Sequence, residues 1–188
     1  MPNAPLSERA KVKEITLLYR GSTNPLGLFT GKAGEVGRDW GSNNTVLGLK
    51  IGTGQRGVTG QLEASAAYLK EIMEKYPNAK INIYGHSLGS MDAQYALACI
   101  TDYSRINEAY IYNGPNIYSL LSYSQKVNVS ALYAKIHNYV DSEDIIGLGY
   151  NKGEGAVGQV YKFVGLDKKT VPMLVGEEIA GLLGAMLG

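Results

Sequence analysis

The chain has 188 residues, 45% of them hydrophobic, enough to fill one sizeable core, so disordered and collagen-like classes are excluded. Eighteen Lys and Arg against 17 Asp and Glu leave a formal net charge of +1, so no global field recruits nucleic acid or an anionic membrane. The single cysteine, Cys99, excludes an intrachain disulfide and a Cys-cluster zinc site. Met1 to Lys13 mixes Pro, Ser, Glu, Arg and Lys without an apolar run and does not read as a signal peptide. No uncharged apolar stretch is long enough to suggest a transmembrane span.

In chain order, Glu14–Tyr19 is a short β-rich run that stops at Arg20-Gly21-Ser22. Eleven of the 24 glycines then fall between Gly21 and Gly60, which predicts turns and close backbone approaches rather than long elements. From Thr59 to Tyr76 the positions Leu62, Ala66, Leu69, Ile72 and Met73 recur at helical spacing until Pro77. A second strand is expected at Lys80–Tyr84, a helix at Ser90–Ile100 and a third strand at Glu108–Tyr112. A short helix at Ile117–Tyr123, a fourth strand over Ala131–Val140 and a loop from Asp141 to Gly149 follow. A fifth strand at Gln159–Val164 precedes an apolar tail, Met173–Leu187. Alternation of this kind predicts an α/β fold with a mostly parallel sheet and helices on both faces. No repeat or linker divides residues 1–188, which read as a single domain, expected to be a fragment of a longer protein. In such a sheet a ligand site lies beyond the C-terminal strand ends.

Gly85-His86-Ser87-Leu88-Gly89 matches G-x-S-x-G, the nucleophile elbow of α/β-hydrolases. The pentapeptide alone is weak, and its context strengthens it: a buried-looking strand before, an Ala- and Leu-rich helix after. An elbow needs both, because the serine must crest a sharp turn while glycines remove Cβ atoms where strand and helix nearly meet. The helix N-terminus adds free N–H groups where an oxyanion would form.

Tyr84-Gly-His-Ser-Leu-Gly-Ser90 together with Leu17-Leu-Tyr-Arg-Gly-Ser22 resembles the class 3 lipase family, in its bacterial lipase-like branch. Asp39-Trp40 occupies the place where that family carries a downstream Trp, after a longer Gly-rich insertion. The resemblance covers roughly residues 12 to 165 and implies an α/β-hydrolase-like domain acting on lipid carboxylic esters through an acyl-enzyme. It makes Ser87 the nucleophile, the Leu88 backbone N–H one oxyanion donor and Ser22 the other. A triad acid is needed at the end of a later strand. Asp144-Ile145-Ile146 fits the family's pattern of Asp and two aliphatic residues better than Asp141, which stays the alternative.

The order Ser, Asp, His then requires a histidine after Asp144, yet His86 and His137 both precede it. Three explanations stay open: the histidine lies beyond this sequence, His137 serves through an unusual geometry, or the domain is catalytically silent and binds a lipid or partner. His137, inside a strand, reads first as a structural histidine.

Other motifs carry less. Gly52-x-Gly54-x-x-Gly57 has the shape of a dinucleotide-binding turn, but the following strand ends in the elbow rather than in the acidic residue a ribose requires. Gly153-x-Gly155-x-x-Gly158 leads into a strand and fails on context. Asp141, Glu143 and Asp144 have no more than weak calcium-site character. Tyr110, Tyr112, Tyr118 and Tyr123 fit core and pocket lining rather than base stacking. The tail Val171–Gly188 reads as a core helix, with a lid or interfacial helix making transient membrane-surface contact as the alternative. No cofactor is implied, the partner expected is a lipid or ester substrate, and a nucleic-acid role is not. An extracellular destination requires a segment outside this sequence or a dedicated export system.

Overall fold

Five β-rich runs pair into one sheet in the order of the sequence: β1 (Glu14–Tyr19), β2 (Lys80–His86), β3 (Ile106–Tyr112), β4 (Ile136–Asp141) and β5 (Gln159–Phe163). Every neighbouring pair is parallel. The computed structural model describes residues 5–21, 60–141, 150 and 155–163. Its helices are α1 (Leu6–Arg9), α2 (Gly60–Lys75), α3 (Leu88–Ala98) and α4 (Tyr123–Ala131). None of the described helices is long and apolar enough to cross a membrane.

Alternate strand residues divide the sheet into two faces. Leu17, Tyr19, Ile81, Ile83, Ala109, Ile111, Ile136 and Val140 are buried on one face, beneath a layer of helices. There α2 packs on α3, α3 on α4, and α3 also lies against β1, β2 and β3. All eleven residues of α3 are buried, which its small side chains Gly89, Ala93, Ala96 and Ala98 permit at close approach. Burying a side chain such as Ile83 or Leu97 contributes roughly 1.5–3 kcal/mol, so truncating Ile83 to Ala costs about 2–5 kcal/mol.

The described helices α2, α3 and α4 form one layer, so the expected second helical layer has no member among the described residues. Topology supplies the reason: β1 to β4 are added side by side in one direction, and parallel connections of the usual right hand place α2, α3 and α4 on the same face. The opposite face carries a ladder of rings instead. Tyr84 stacks on Tyr110 at 5.3 Å and Tyr110 on His137 at 4.9 Å. In the next row Tyr112 stacks on Tyr139 at 5.2 Å and Tyr139 on Tyr161 at 5.0 Å, with Phe163 at 5.8 Å from Tyr139. Parallel register brings these residues abreast.

The strand expected over Ala131–Val140 is corrected: Ala131 closes α4, Tyr133–Lys135 is a 3-10 turn and β4 begins at Ile136. The helix expected at Ile117–Tyr123 is only a 3-10 turn at Tyr118–Leu120. Helix α4 follows it on a capping box, in which Ser122 Oγ accepts the Gln125 N–H at 3.3 Å and Gln125 Oε1 accepts the Ser122 N–H at 2.9 Å. The Ser-x-x-Gln spacing is the sequence signal that locates this helix. Of the four tyrosines expected in core or pocket, Tyr112 is buried and Tyr110 joins the ladder. Tyr118 lies under Lys126 at 4.9 Å, and Tyr123 is 85% exposed because it starts α4 on its outer side.

Candidate active site

The C-terminal edge of the sheet gathers the ends of β1, β2, β3 and β4 around one turn. Strand β2 runs to His86, Ser87 forms the turn and α3 starts at Leu88. Two glycines permit this. A Cβ at Gly85 would strike the Gly89 carbonyl oxygen, and one at Gly89 would strike the Tyr19 carbonyl oxygen at the end of β1. The first turn of α3 therefore lies directly on the end of β1, closer than any side chain allows.

Ser87 takes φ 54° and ψ −120°, a left-handed conformation that costs a non-glycine residue about 1–3 kcal/mol. A serine before a helix ordinarily caps it, its Oγ accepting a first-turn N–H. Here no such side-chain bond forms; the Ser87 carbonyl instead accepts the Ser90 N–H at 3.0 Å. The Ser87 N–H is held by the Tyr112 carbonyl at 2.9 Å. Ser87 is 3% exposed, and its Oγ has no hydrogen-bond partner among the described residues. Gly21, past the end of β1, lies alongside: its Cβ position is 3.6 Å from the Ser87 Cβ. The Leu88 N–H belongs to the first turn of α3, where helix geometry leaves amides without intrahelical partners. Ser87, Leu88 and the end of β1 are thus brought together, while Ser22, the other expected oxyanion donor, lies outside the described residues.

Past β3, Asn113 holds φ 42°. Its N–H donates to the Tyr139 carbonyl at 2.8 Å, and its Oδ1 accepts the Asp141 N–H at 2.7 Å. Asp141 ends β4 at this edge. Asp144 and Glu143 lie outside the described residues, as do Asp39-Trp40, the Gly52–Gly57 turn, Val164 and the tail Val171–Gly188. Gly153 is outside as well, whereas Gly155 and Gly158 of that turn are described, Gly158 with φ 78° immediately before β5.

Behind the elbow runs a buried polar network that composition and motif do not reveal. Gln94 donates to the Pro115 carbonyl at 3.0 Å and to Ser90 Oγ at 3.3 Å. Asn138 donates to the Tyr150 hydroxyl at 3.0 Å and to the Val157 carbonyl at 3.1 Å. Burial pushes the Tyr150 hydroxyl up to about 12, opposed by hydrogen bonds with Asn138 and Gln94. Buried polar groups paired in this way hold a unique arrangement, because breaking one leaves its partner unsatisfied. Asn116 joins the same region by donating to the Gly155 carbonyl at 2.7 Å.

One turn into α3, Asp92 is 6% exposed. Its Oδ2 accepts from Gln61 at 3.0 Å, and its Oδ1 has no partner among the described residues. Burial pushes its carboxyl up to about 6, the Gln61 bond acting in the opposite sense. The Tyr112 hydroxyl is likewise buried without a partner among the described residues, and burial first, then Tyr139, holds it well above the ordinary tyrosine value.

His137 is placed on the ring ladder. Its Nε2 is 2.8 Å from Glu108 Oε2, and its ring lies between Tyr110 and Tyr161. In register it faces Tyr110, which faces Tyr84, three residues upstream of Ser87. Three strand residues span about 10 Å, beyond the reach of a general base. His86 is half-buried at the end of β2.

A family model described as Mbeg1-like matches residues 50–158, more than half of the chain. No curated protein matches it. The family match overturns the resemblance to class 3 lipases, since the Mbeg1-like family is not a class 3 lipase family. The reason lies in what carried the resemblance: an elbow pentapeptide and the end of one strand report a local packing demand that serine-bearing sheets share, not which family met it.

Proposed function

We propose that this chain, which belongs to the Mbeg1-like family, is a serine ester hydrolase on an α/β-hydrolase-like sheet, acting on lipid carboxylic esters. The family is lipase-like. The observation that carries the reading is Ser87: a non-glycine residue in a left-handed turn between β2 and α3, its Oγ withheld from capping and without a partner among the described residues. Backbone strain in that place serves no packing need that glycine would not meet better.

In this reading Ser87 Oγ attacks the ester carbonyl carbon and forms a tetrahedral intermediate. Its oxyanion lies toward the Leu88 N–H and the strand end that leads into Ser22. Collapse expels the alcohol, and water then attacks the acyl-enzyme to release the acid. The serine proton passes to a histidine oriented by Asp144, with Asp141 the alternative acid. His137 does not fill that role, because Glu108 and the ring ladder engage it away from Ser87. The reading therefore requires a histidine base other than His137.

The same unpartnered Oγ also favours a second reading, a catalytically silent domain that binds a lipid or a protein partner. Mass-spectrometric labelling with a fluorophosphonate separates the two, applied to this chain, to the full natural protein containing it and to Ser87→Ala versions of both. Labelling at Ser87 in the full protein, abolished by Ser87→Ala, supports the hydrolase. Silence in both forms supports the binding domain, and labelling that survives Ser87→Ala refutes Ser87 as the nucleophile.

A further inference from the structure

We infer that Asn113 is a positioning residue of this site, fixing the end of β4 relative to the turn that bears Ser87; the inference rests on the hydrolase reading. Among the described residues only Ser87 and Asn113 hold positive φ without being glycine, at 54° and 42°. Asparagine enters that region at less cost than most residues, but glycine would enter it at none. The side chain is therefore the reason for the residue.

That side chain ties two strands. After β3 ends at Tyr112, Asn113 gives its own N–H to the Tyr139 carbonyl of β4 and takes the Asp141 N–H on Oδ1 at 2.7 Å. A side-chain carbonyl thus replaces the backbone acceptor that the ladder would have supplied had β3 continued. The last amide of β4 is held at the point where the chain leaves the sheet. The tethered residue, Asp141, is itself one of the two acid candidates.

The other end of the tether is rigid. The residue before Asn113 accepts the Ser87 N–H at 2.9 Å through the Tyr112 carbonyl. The residue after it, Gly114, lies so close to the elbow that a Cβ there would be 2.6 Å from the Ser87 carbonyl oxygen and would strike the Ser90 side chain. Residues 112–114 cannot shift without moving the elbow. Through them Asp141 keeps a set position relative to Ser87, and a triad needs that, because misplacement by about 1 Å costs about 10²-fold in rate.

Two substitutions separate positioning from backbone accommodation. Asn113→Gly frees φ but removes the acceptor, whereas Asn113→Asp keeps an oxygen for the Asp141 N–H and tolerates the same φ. The assay is steady-state hydrolysis of p-nitrophenyl butyrate by the full natural protein, for the wild type, Ser87→Ala, Asn113→Gly and Asn113→Asp, with thermal unfolding of each. The expected result is that Asn113→Gly lowers kcat by about 10²-fold with KM nearly unchanged and no loss of melting temperature, and that Asn113→Asp restores most of kcat. Wild-type kcat in Asn113→Gly overturns the inference while leaving the hydrolase reading standing. A loss of kcat that follows a lowered melting temperature and is not restored by Asp also overturns it. Equal silence of the wild type and Ser87→Ala overturns the hydrolase reading and this inference with it.

Discussion

Replacing Asp92 by Asn removes a carboxylate that the fold holds at a disadvantage, and the gain depends on pH in a way the geometry dictates. Asp92 lies between α3, α2 and the end of β1, with one oxygen bonded to Gln61 and the other to nothing among the described residues. Burial raises its carboxyl from an ordinary 3.8 to about 6. The folded state therefore holds the proton more tightly than the unfolded chain, so the stabilisation from protonation is fully present below about pH 4. It is lost as the pH rises through 6, above which the native state keeps a charge the interior opposes. A rise of about two pH units corresponds to about 3 kcal/mol. Wild type and Asp92→Asn should consequently differ little in pH dependence below pH 4. The variant should then gain progressively, reaching about 3 kcal/mol relative to its low-pH difference by pH 7. For a chain of this size that is about 2–4 °C in melting temperature per kcal/mol. Urea unfolding of both proteins from pH 4 to 8 reads the difference directly, and any cost of the amide's own unmet bonds is the same at every pH. Parallel stability curves across that range would refute the argument that Asp92 is a buried, destabilised charge.

Three further outcomes follow from the same structure. Ser87→Gly should abolish fluorophosphonate labelling while raising stability by about 1 kcal/mol in denaturant titration, because glycine relieves the left-handed strain. His137→Gln should leave labelling at Ser87 unchanged while loosening the contact with Glu108, which peptide mapping of the labelled protein checks. Arg105→Ala should cost about 1.5–3 kcal/mol by thermal or urea unfolding. The Arg105 guanidinium donates to the Ala79 carbonyl at 2.7 Å and the Tyr76 carbonyl at 2.6 Å, closing the chain just past α2.

Much of the scaffold was legible locally. The strand ending at Tyr19, the strand and helix flanking Ser87, and the amphipathic run ended by Pro77 all occur within a residue or two of the positions their patterns indicate. Local patterns failed where a segment satisfied two readings. Leu132 and Tyr133 look like strand residues, yet the Ser122–Gln125 capping box had already committed the preceding nine residues to α4. A class 3 lipase resemblance drawn from two short stretches was misleading for a similar reason, since close strand-to-helix packing demands those residues whatever the family.

By itself the sequence determined the alternation of strands and helices and the glycine-flanked serine between β2 and α3, because periodicity, glycine placement and the turn they allow are properties of neighbours along the chain. Only the tertiary structure decided that α2, α3 and α4 share one face and that seven rings from four strands stack on the other. It alone showed that His137 belongs to that ladder rather than to Ser87, that Asp92 is a charge enclosed by α2 and β1, and that Asn113 reaches across to Asp141. Each of these depends on strand order, crossover hand and register, which bring together residues tens of positions apart and which local patterns do not encode.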